Sequence, residues 1–195
     1  MKATNTKING LILAGGYSKR MGSDKALLEF HGKPQIEYIF ELLQKYCGEV
    51  FLSKRQNQVI YGNIPYINDI GEFIDQGPLG GILSAMTSLP QSSWLVLACD
   101  LPFVNDETIQ SLINQRDGQK IATAFISSSP DALPEPLCAI WEGHSYHHIL
   151  KLFNEGIHCP RKILIKSDVK LVPQANPRWL DNINTPQEYT DYRSS

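Results

Sequence analysis

Apolar runs of strand length alternate along the chain with stretches whose apolar residues recur at helical spacing. The first apolar run covers residues 7–13, and residues 34–46 follow it. This second stretch has apolar side chains at positions i, i+3, i+4 and i+7, namely Ile36, Ile39, Phe40 and Leu43. The pattern predicts a strand, a loop and then an amphipathic helix that Pro34 opens.

The same alternation continues through the rest of the chain. Further strands are predicted at residues 49–53, 65–68, 94–98, 120–126 and 137–141, and further helices at residues 77–89, 106–115 and 143–155. The run WLVLA at 94–98 is apolar at every position, which is typical of a strand covered on both faces. We therefore expect this strand at the centre of a mostly parallel sheet.

A capping box predicts one more helix near residue 185. Thr185 has the side chain of an N-cap, Pro186 suits the first helical position, and Glu188 stands three residues after the cap. The elements together predict an α/β protein, a three-layer α/β/α sandwich with a mostly parallel, Rossmann-like sheet. A single domain over residues 1–195 suits this length, and ligands of such sheets gather at the carboxyl ends of the strands.

Composition and charge exclude some functions. Charged residues make up 19% of the chain and the formal net charge is −2, so no basic field would attract nucleic acid. No apolar stretch approaches the roughly 20 residues that span a bilayer, and the first ten residues lack the apolar segment of a signal peptide. We expect a cytoplasmic protein that binds neither nucleic acid nor membrane.

The cysteines and histidines do not indicate a metal site. The four cysteines form no C-x-x-C pair and are predicted to be buried or half-buried free thiols, with Cys99 packed in a strand: Cys47, Cys99, Cys138 and Cys159. His144 and His148 have a spacing that can ligate a transition metal, but the H-E-x-x-H pattern is absent. A solvated helix face is the expected role of these histidines.

The loop after the first strand carries the clearest sign of chemistry. The stretch ILAGGYSKRMGSDKALLEF, residues 12–30, fits neither the G-x-G-x-x-G nor the G-x-x-x-x-G-K-[ST] pattern. Gly15 and Gly16 would nevertheless let backbone N–H groups approach an anion, and Arg20 and Lys25 can neutralise a polyphosphate. The loop predicts a phosphate-binding site.

Two aspartates follow predicted strands at the same edge of the sheet. Asp100 ends the central strand in LACDLPF, where its carboxylate could hold Mg²⁺ beside a triphosphate. Asp69 follows the short third strand in the same way. Taken locally, both aspartates could equally be turn or helix caps.

Several motifs in a fixed order resemble one family. The stretches are LAGGYSKRMGSDKALL, GPLGGI, ACDLPF and NINTPQEY, with EPLCAIW as a weaker fifth. Together they cover nearly the whole chain, and they are similar to the MobA-like nucleotidyltransferases, in detail to the molybdenum cofactor guanylyltransferases. The resemblance implies a nucleotidyltransferase fold, and an enzyme that transfers GMP from GTP to molybdenum-molybdopterin with Mg²⁺ and releases pyrophosphate.

The resemblance also implies roles for individual residues. The GTP-binding set would be Leu13, Ala14, Gly15, Gly16, Lys25, Ser53, Asp69 and Asp100. Lys25 and Asp100 would serve catalysis, Asp100 as the magnesium ligand, and we add Arg20 as a second cation for the triphosphate. The acceptor set would be Gly77, Pro78, Leu79, Gly80, Asn182 and Asn184. The N-terminal half of the chain would then bind the nucleotide and the C-terminal half the acceptor.

Two segments depart from the family's usual pattern. Ser53 stands where the family often has an asparagine that contacts the nucleotide, although a hydroxyl can also hydrogen-bond. Arg161 and Lys162 match the family's basic segment near the pterin only loosely.

The resemblance also leads us to expect, as partners, proteins that deliver molybdopterin or that mature molybdoenzymes.

Three other functions stay open at this point. A cytidylyltransferase of the same cofactor shares the loop, but tends to show Asp-Thr-Pro where this chain has Asn184-Thr185-Pro186. A sugar-phosphate nucleotidyltransferase would have G-T-R in the loop and a later Pro-Lys. A non-catalytic carrier of nucleotide or molybdopterin is a third interpretation. Arg20, Lys25 and Asp100 together disfavour it, because a carrier has little need for a magnesium and triphosphate site.

Overall fold

The computed structural model describes residues 8–14, 25–55, 62–128, 130–183 and 185–194. Of the candidate site residues, Gly15, Gly16, Arg20 and Asn184 lie outside these ranges, and so does the side chain of Lys25. The contacts of these five residues therefore stay predictions from the sequence.

Seven strands form one sheet within the described residues. Their bounds are β1 Ile8–Leu13, β2 Val50–Lys54, β3 Tyr66–Asn68, β4 Ser93–Ala98, β5 Ala122–Ile126, β6 Pro134–Trp141 and β7 Val169–Val172. The order across the sheet is β3-β2-β1-β4-β6-β5-β7. Only the pairs that involve β6 are antiparallel, so the carboxyl ends of the other six strands share one edge.

Six helices connect the strands of this described part. They are α1 Gln35–Gln44, α2 Gly77–Ser88, α3 Asp106–Asn114, α4 Tyr146–Asn154, α5 Pro160–Ile165 and α6 Pro186–Ser194, with short 3-10 turns at Lys25–Leu27, Gly71–Phe73 and Gly143–Ser145. Every residue of β4 is buried, and its neighbours are β1 and β6. The predicted α/β sandwich with a central, doubly covered strand at WLVLA is confirmed.

The predicted capping box is also present at α6. The Thr185 N–H donates to Glu188 Oε2 at 3.0 Å, and the Glu188 N–H donates to Thr185 Oγ1 at 3.3 Å. Each side chain thus satisfies a backbone donor of the first helical turn.

Three predicted features need correction. The helix expected from residue 143 begins as α4 at Tyr146, because Gly143 sits in a 3-10 turn against the Gln91 carbonyl, where a Cβ would collide. Strand β6 begins at Pro134 rather than at residue 137. The sequence-based prediction also missed α5 and β7.

The cysteines follow the prediction except for one. Cys99 and Cys138 are buried and Cys47 is half-buried, but Cys159, which precedes α5, is exposed. Burial raises the pKa of the Cys47 and Cys138 thiols to about 12. Among the described residues, only Cys159 therefore offers an accessible thiol.

The predicted histidine face is largely solvated. His144 and His147 are exposed, and the half-buried His148 pairs through Nε2 with Ser167 Oγ at 2.9 Å. In the described ranges, no helix combines the length and the apolar character needed to cross a bilayer.

A buried ion pair lies at the edge opposite the carboxyl ends of the parallel strands. Arg116 binds both oxygens of Glu142 at 2.7 Å, and Ser93 Oγ donates to Glu142 Oε2 at 2.7 Å. Glu142 is 2% exposed. The pair ties the end of α3 to the start of β4 and the end of β6.

Candidate active site

The candidate residues lie at the carboxyl edge of four neighbouring strands. In the sheet register, Leu13 at the end of β1 pairs with Ser53 on one side and with Ala98 on the other. Asp69 directly follows β3, and its N–H donates to the Lys54 carbonyl at 2.9 Å. The predicted nucleotide set thus follows the order β3, β2, β1, β4 along one edge.

Seven residues line a small pocket at this edge. They are Leu13, Ala14, Ser53, Arg55, Asp69, Gly77 and Pro78. Four of them belong to the predicted nucleotide set, and Gly77 and Pro78 come from the predicted acceptor set. The structure therefore brings the start of α2 against the nucleotide candidates, and Arg55 joins them. The opening holds about 20 Å³, so it is the floor of a site and does not enclose a ligand.

Asp69 is the buried carboxylate of this pocket. It is 5% exposed, and Ser53 Oγ donates to Asp69 Oδ1 at 3.4 Å. Burial raises the pKa of Asp69 to about 6, with a smaller contribution from the negative charge of Asp75, while the Ser53 hydrogen bond and the Arg55 charge oppose the rise. Asp69 is therefore a strong hydrogen-bond acceptor at neutral pH, although burial makes its ionised form energetically costly.

The glycines of GPLGGI allow α2 to pack directly on the strand ends. A Cβ on Gly81 would collide with Ser53 Oγ and come within 3.2 Å of Leu13 Cδ2, and a Cβ on Gly80 would collide with the Phe73 carbonyl. Leu79 is completely buried. In the predicted acceptor set, Leu79 and Gly80 therefore face the protein interior on their Cβ side. A ligand could reach only the backbone of these two residues.

Gly77 opens α2 in the left-handed region, with φ +62°, and its Cβ position faces open space. Glycine adopts this conformation at little cost, whereas other residues are strained there. The turn leads the chain from the half-buried Gln76 into the buried helix. His158 Nδ1 pairs with Gln76 Oε1 at 2.6 Å, which ties this turn to the segment before α5.

Asp100 lies farther along the same edge, after β4. It is half-buried, and its carbonyl accepts a hydrogen bond from the Ile183 N–H at 3.2 Å. Three strand spacings, roughly 14 Å, separate the ends of β3 and β4, whereas Mg²⁺ binds oxygen at about 2.1 Å. Asp69 and Asp100 therefore cannot share one metal ion.

The donor set suits magnesium bound jointly with a substrate. The described residues contain no group of three or more histidine, cysteine or acidic side chains that could hold a metal by themselves. Mg²⁺ in phosphoryl-transfer sites commonly takes one or two carboxylates and completes its shell with phosphate oxygens and water. A single carboxylate such as Asp100 beside a polyphosphate loop fits that pattern.

The reversed strand β6 adds groups to this edge. Because β6 is antiparallel to its neighbours, its start at Pro134 lies where the other strands end. Arg161 donates through Nε to the Pro134 carbonyl at 3.2 Å and through Nη2 to Glu135 Oε1 at 2.8 Å. Lys162 and the predicted Asn182 are exposed. The motif EPLCAIW thus fixes the loosely predicted Arg161 at the carboxyl edge.

Sequence reasoning missed Arg55 as a pocket residue and His158 as a contact of α2. Arg55 follows β2 by one residue, and the position after a strand end was the available signal. The partner of His158 is 82 residues away, so no local pattern could reveal this contact.

A mostly parallel sheet with its candidate site at the carboxyl edge, and with a glycine-rich basic stretch after β1 in the sequence, is typical of an α/β protein that binds a nucleotide. Comparisons with known proteins make this specific. The chain belongs to the family of the MobA-like NTP transferase domain, whose model matches residues 10–170.

Named relatives agree with this family, and a solved structure has the same fold. The chain is 40% identical over 189 residues to a molybdenum cofactor biosynthesis bifunctional protein of Synechocystis, covering 95% of this chain but 54% of that protein, so it spans about half the length of this relative. It is 30% identical over 194 residues to a probable molybdenum cofactor guanylyltransferase of Bacillus cereus strain Q1, covering 94% of each. The structure of molybdopterin-guanine dinucleotide biosynthesis protein A from Archaeoglobus fulgidus has a TM-score of 0.77 at 22% identity, over 96% of this chain and 97% of that one, and supports the fold.

Proposed function

We propose that the protein transfers GMP from GTP to molybdenum-molybdopterin, giving the guanine dinucleotide form of the cofactor and pyrophosphate. The observation that carries the proposal is the pocket in which Leu13, Ala14, Ser53 and Asp69 meet at the carboxyl edge. Family membership and the names of the relatives, among them the guanylyltransferase of Bacillus cereus, support the same reaction.

The pocket floor at the ends of β1, β2 and β3 offers hydrogen-bonding partners for a guanine base. Guanine presents N1–H and N2–H donors next to its O6 and N7 acceptors. Asp69 supplies a carboxylate acceptor and Arg55 a guanidinium donor at the same pocket. A cytosine base offers a single exocyclic donor and would use this pair less completely. We therefore assign base recognition to Asp69, with Ser53 orienting its carboxylate.

The triphosphate would extend from this pocket along β1 towards β4. Backbone N–H groups after Ala14, including those of Gly15 and Gly16, are assigned to the phosphates, with Arg20 and Lys25 as the cations. Asp100 would hold Mg²⁺, which draws charge from the phosphate oxygens when bound. The side chains and backbone of the protein would align the acceptor with the α-phosphorus. They would also place fixed positive charge next to the leaving pyrophosphate. No covalent intermediate with the protein is needed.

The acceptor would approach from the side of β6 and α6. Asn182, together with Asn184, is assigned to the pterin or its phosphate, and Gly77 and Pro78 would lie between the two substrates. Arg161 at the same edge is a candidate for the acceptor phosphate. A single domain divided in this way, a cytoplasmic location, and partners that supply molybdopterin or receive the product remain part of the proposal.

The deciding experiment is Mg²⁺-dependent transfer with purified protein, molybdenum-loaded molybdopterin, and GTP, CTP or ATP in parallel. We expect pyrophosphate and dinucleotide product with GTP alone. Product with CTP alone would assign the protein to cytidylyl transfer, and GTP binding without turnover would favour a carrier.

Variants test the assigned residues in the same assay. Asp100→Ala is expected to abolish transfer and Lys25→Ala to weaken the use of GTP. Asp168→Ala is the matched control, because this exposed carboxylate pairs only with Lys120 in the described contacts. Undiminished turnover of Asp100→Ala would contradict the metal assignment.

A further inference from the structure

Three side chains donate hydrogen bonds to the loop that follows Asp100. His31 Nε2 lies 2.8 Å from the Pro102 carbonyl oxygen, Gln35 Nε2 donates to the Leu101 carbonyl at 3.3 Å, and Tyr38 Oη donates to the Val104 carbonyl at 3.0 Å. These donors come from the turn before α1 and from the first turn of α1. The acceptors are 66 to 71 residues away in the sequence.

Gln35 and Tyr38 are held by packing, and the exposed His31 stacks on Tyr38. The rings of His31 and Tyr38 stack with centroids 3.8 Å apart and an interplanar angle of 20°. Gln35 is completely buried at the start of α1. A side chain fixed by packing has little rotational freedom, so it holds its hydrogen-bond partner in one orientation.

The acceptors control the path of the chain at Asp100. The carbonyls of residues 101, 102 and 104 are held by the three side chains, and the carbonyl of Asp100 itself accepts from the Ile183 N–H. A hydrogen bond to a carbonyl fixes the plane of that peptide group. The three side chains thus restrain the loop directly after Asp100, and the Ile183 bond restrains the peptide plane that adjoins its Cα, so together they limit the region in which the carboxylate can lie.

The turn that carries His31 is itself held from the other side. Tyr189 Oη donates to the Glu29 carbonyl at 3.1 Å and Tyr192 Oη to the Phe30 carbonyl at 3.0 Å. The turn follows the 3-10 turn Lys25–Leu27 by one residue. One short segment thus joins the lysine assigned to the triphosphate with the aspartate assigned to the metal.

We infer that His31, Gln35 and Tyr38 are positioning residues that set the affinity of Asp100 for the divalent metal of the nucleotide complex. The inference rests on the proposed function, in which Asp100 binds that metal. None of the three residues is assigned a contact with the metal or the substrates. They act by holding the backbone after Asp100 in the conformation that binds.

The test measures binding of Mn²⁺ by electron paramagnetic resonance, in the presence of GTP whose α,β-bridging oxygen is replaced by methylene. Tyr38→Phe removes one hydroxyl and keeps the ring that stacks on His31. Its matched control is Tyr46→Phe, which removes a hydroxyl at the other end of α1, bonded to Asp106 and Gln110. His31→Ala removes a second donor, and His31→Gln restores one at a similar distance.

We expect the dissociation constant of Mn²⁺ to rise about threefold in Tyr38→Phe and about tenfold in the double variant His31→Ala with Tyr38→Phe. His31→Gln should lie near the wild type, and Tyr46→Phe should change the constant less than about twofold. Hydrogen exchange of the amides at residues 100, 101, 103 and 104 should accelerate in the same order. The half-saturating Mg²⁺ concentration for transfer should rise in parallel, with kcat at saturating Mg²⁺ retained.

Three results would overturn the inference, and they are distinguishable. If Asp100→Asn weakens Mn²⁺ binding but Tyr38→Phe and the double variant do not, the positioning role is refuted and the metal assignment stands. If Asp100→Asn leaves Mn²⁺ binding unchanged, both fail. A loss of thermal stability without a change in metal affinity likewise refutes the inference, and Tyr38→Phe decides the matter if the double variant does not fold.

Discussion

Replacing Asp69 by asparagine should stabilise the protein at neutral pH. The carboxyl group of Asp69 has its pKa raised from the usual 3.8 to about 6, mainly because it is buried. The folded protein therefore keeps a proton between these pH values that the unfolded chain has released, and its stability falls as the pH rises through this window. Since one pKa unit corresponds to about 1.4 kcal/mol, the ionised group costs up to about 3 kcal/mol above pH 6.

The amide introduced by Asp69→Asn would keep the shape of the side chain and an acceptor for the Ser53 hydroxyl, without the charge. For a chain of this size, about 3 kcal/mol corresponds to a rise in melting temperature of up to about 10 °C. We expect that rise for Asp69→Asn at about pH 8, by thermal unfolding followed with circular dichroism. It should shrink towards zero at about pH 4.5, where the wild-type carboxyl in the folded protein is protonated.

The control is Asp168→Asn, which changes an exposed carboxylate and should not stabilise the protein at any pH. If Asp69→Asn is no more stable than the wild type at about pH 8, or if its advantage does not depend on pH, the burial argument is wrong. The same variant should bind GTP more weakly, because the neutral amide is a poorer acceptor for the guanine donors. A carboxylate that lowers the stability of the folded protein but lies in a binding pocket is consistent with a residue kept for its function.

Three further perturbations test other parts of the structure. Gly81→Ala should cost about 1–3 kcal/mol in urea unfolding, because the new Cβ meets Ser53 Oγ, and Ser53→Ala in the same chain should recover part of that loss. Arg116→Met should cost about 3–5 kcal/mol, because it leaves Glu142 buried without its cation, and a double variant with Glu142→Met that is no better than the single one would contradict this reasoning. A thiol reagent should modify one cysteine rapidly in the native protein, and Cys159→Ser should remove that fast phase; a fast phase that persists would show a second accessible thiol.

The elements with a strong local signal could be predicted from the sequence. Continuous apolar character located β4, helical spacing located α1 and α2, and the capping box located the start of α6. Strand β7 has only four residues, of which the middle two are exposed at the edge of the sheet, so its pattern was too short to detect. The early start of β6 was hidden because prolines are unusual in the middle of a sheet.

Two kinds of signal predicted the candidate site. The position after a strand end pointed to Asp69, and the family resemblance pointed to Ser53, Gly77 and Pro78; the structure joins these residues in one pocket. The burial of Leu79 and the packing of Gly81 on Ser53 depend on how α2 crosses the sheet, which a local pattern does not encode. The donors to the loop after Asp100 are likewise distant in sequence, and only the folded chain brings them together.

The contacts of α6 have a consequence for synthesis of the protein. Tyr189 and Tyr192 pack edge-on against Phe30, and Tyr192 also packs against Phe103, so the residues that close the turn are made 160 to 162 residues after it. A nascent chain that has released only the sheet would carry Asp100 on a loop without this support. Metal-dependent activity should therefore emerge only after α6 has been made and has packed against this turn.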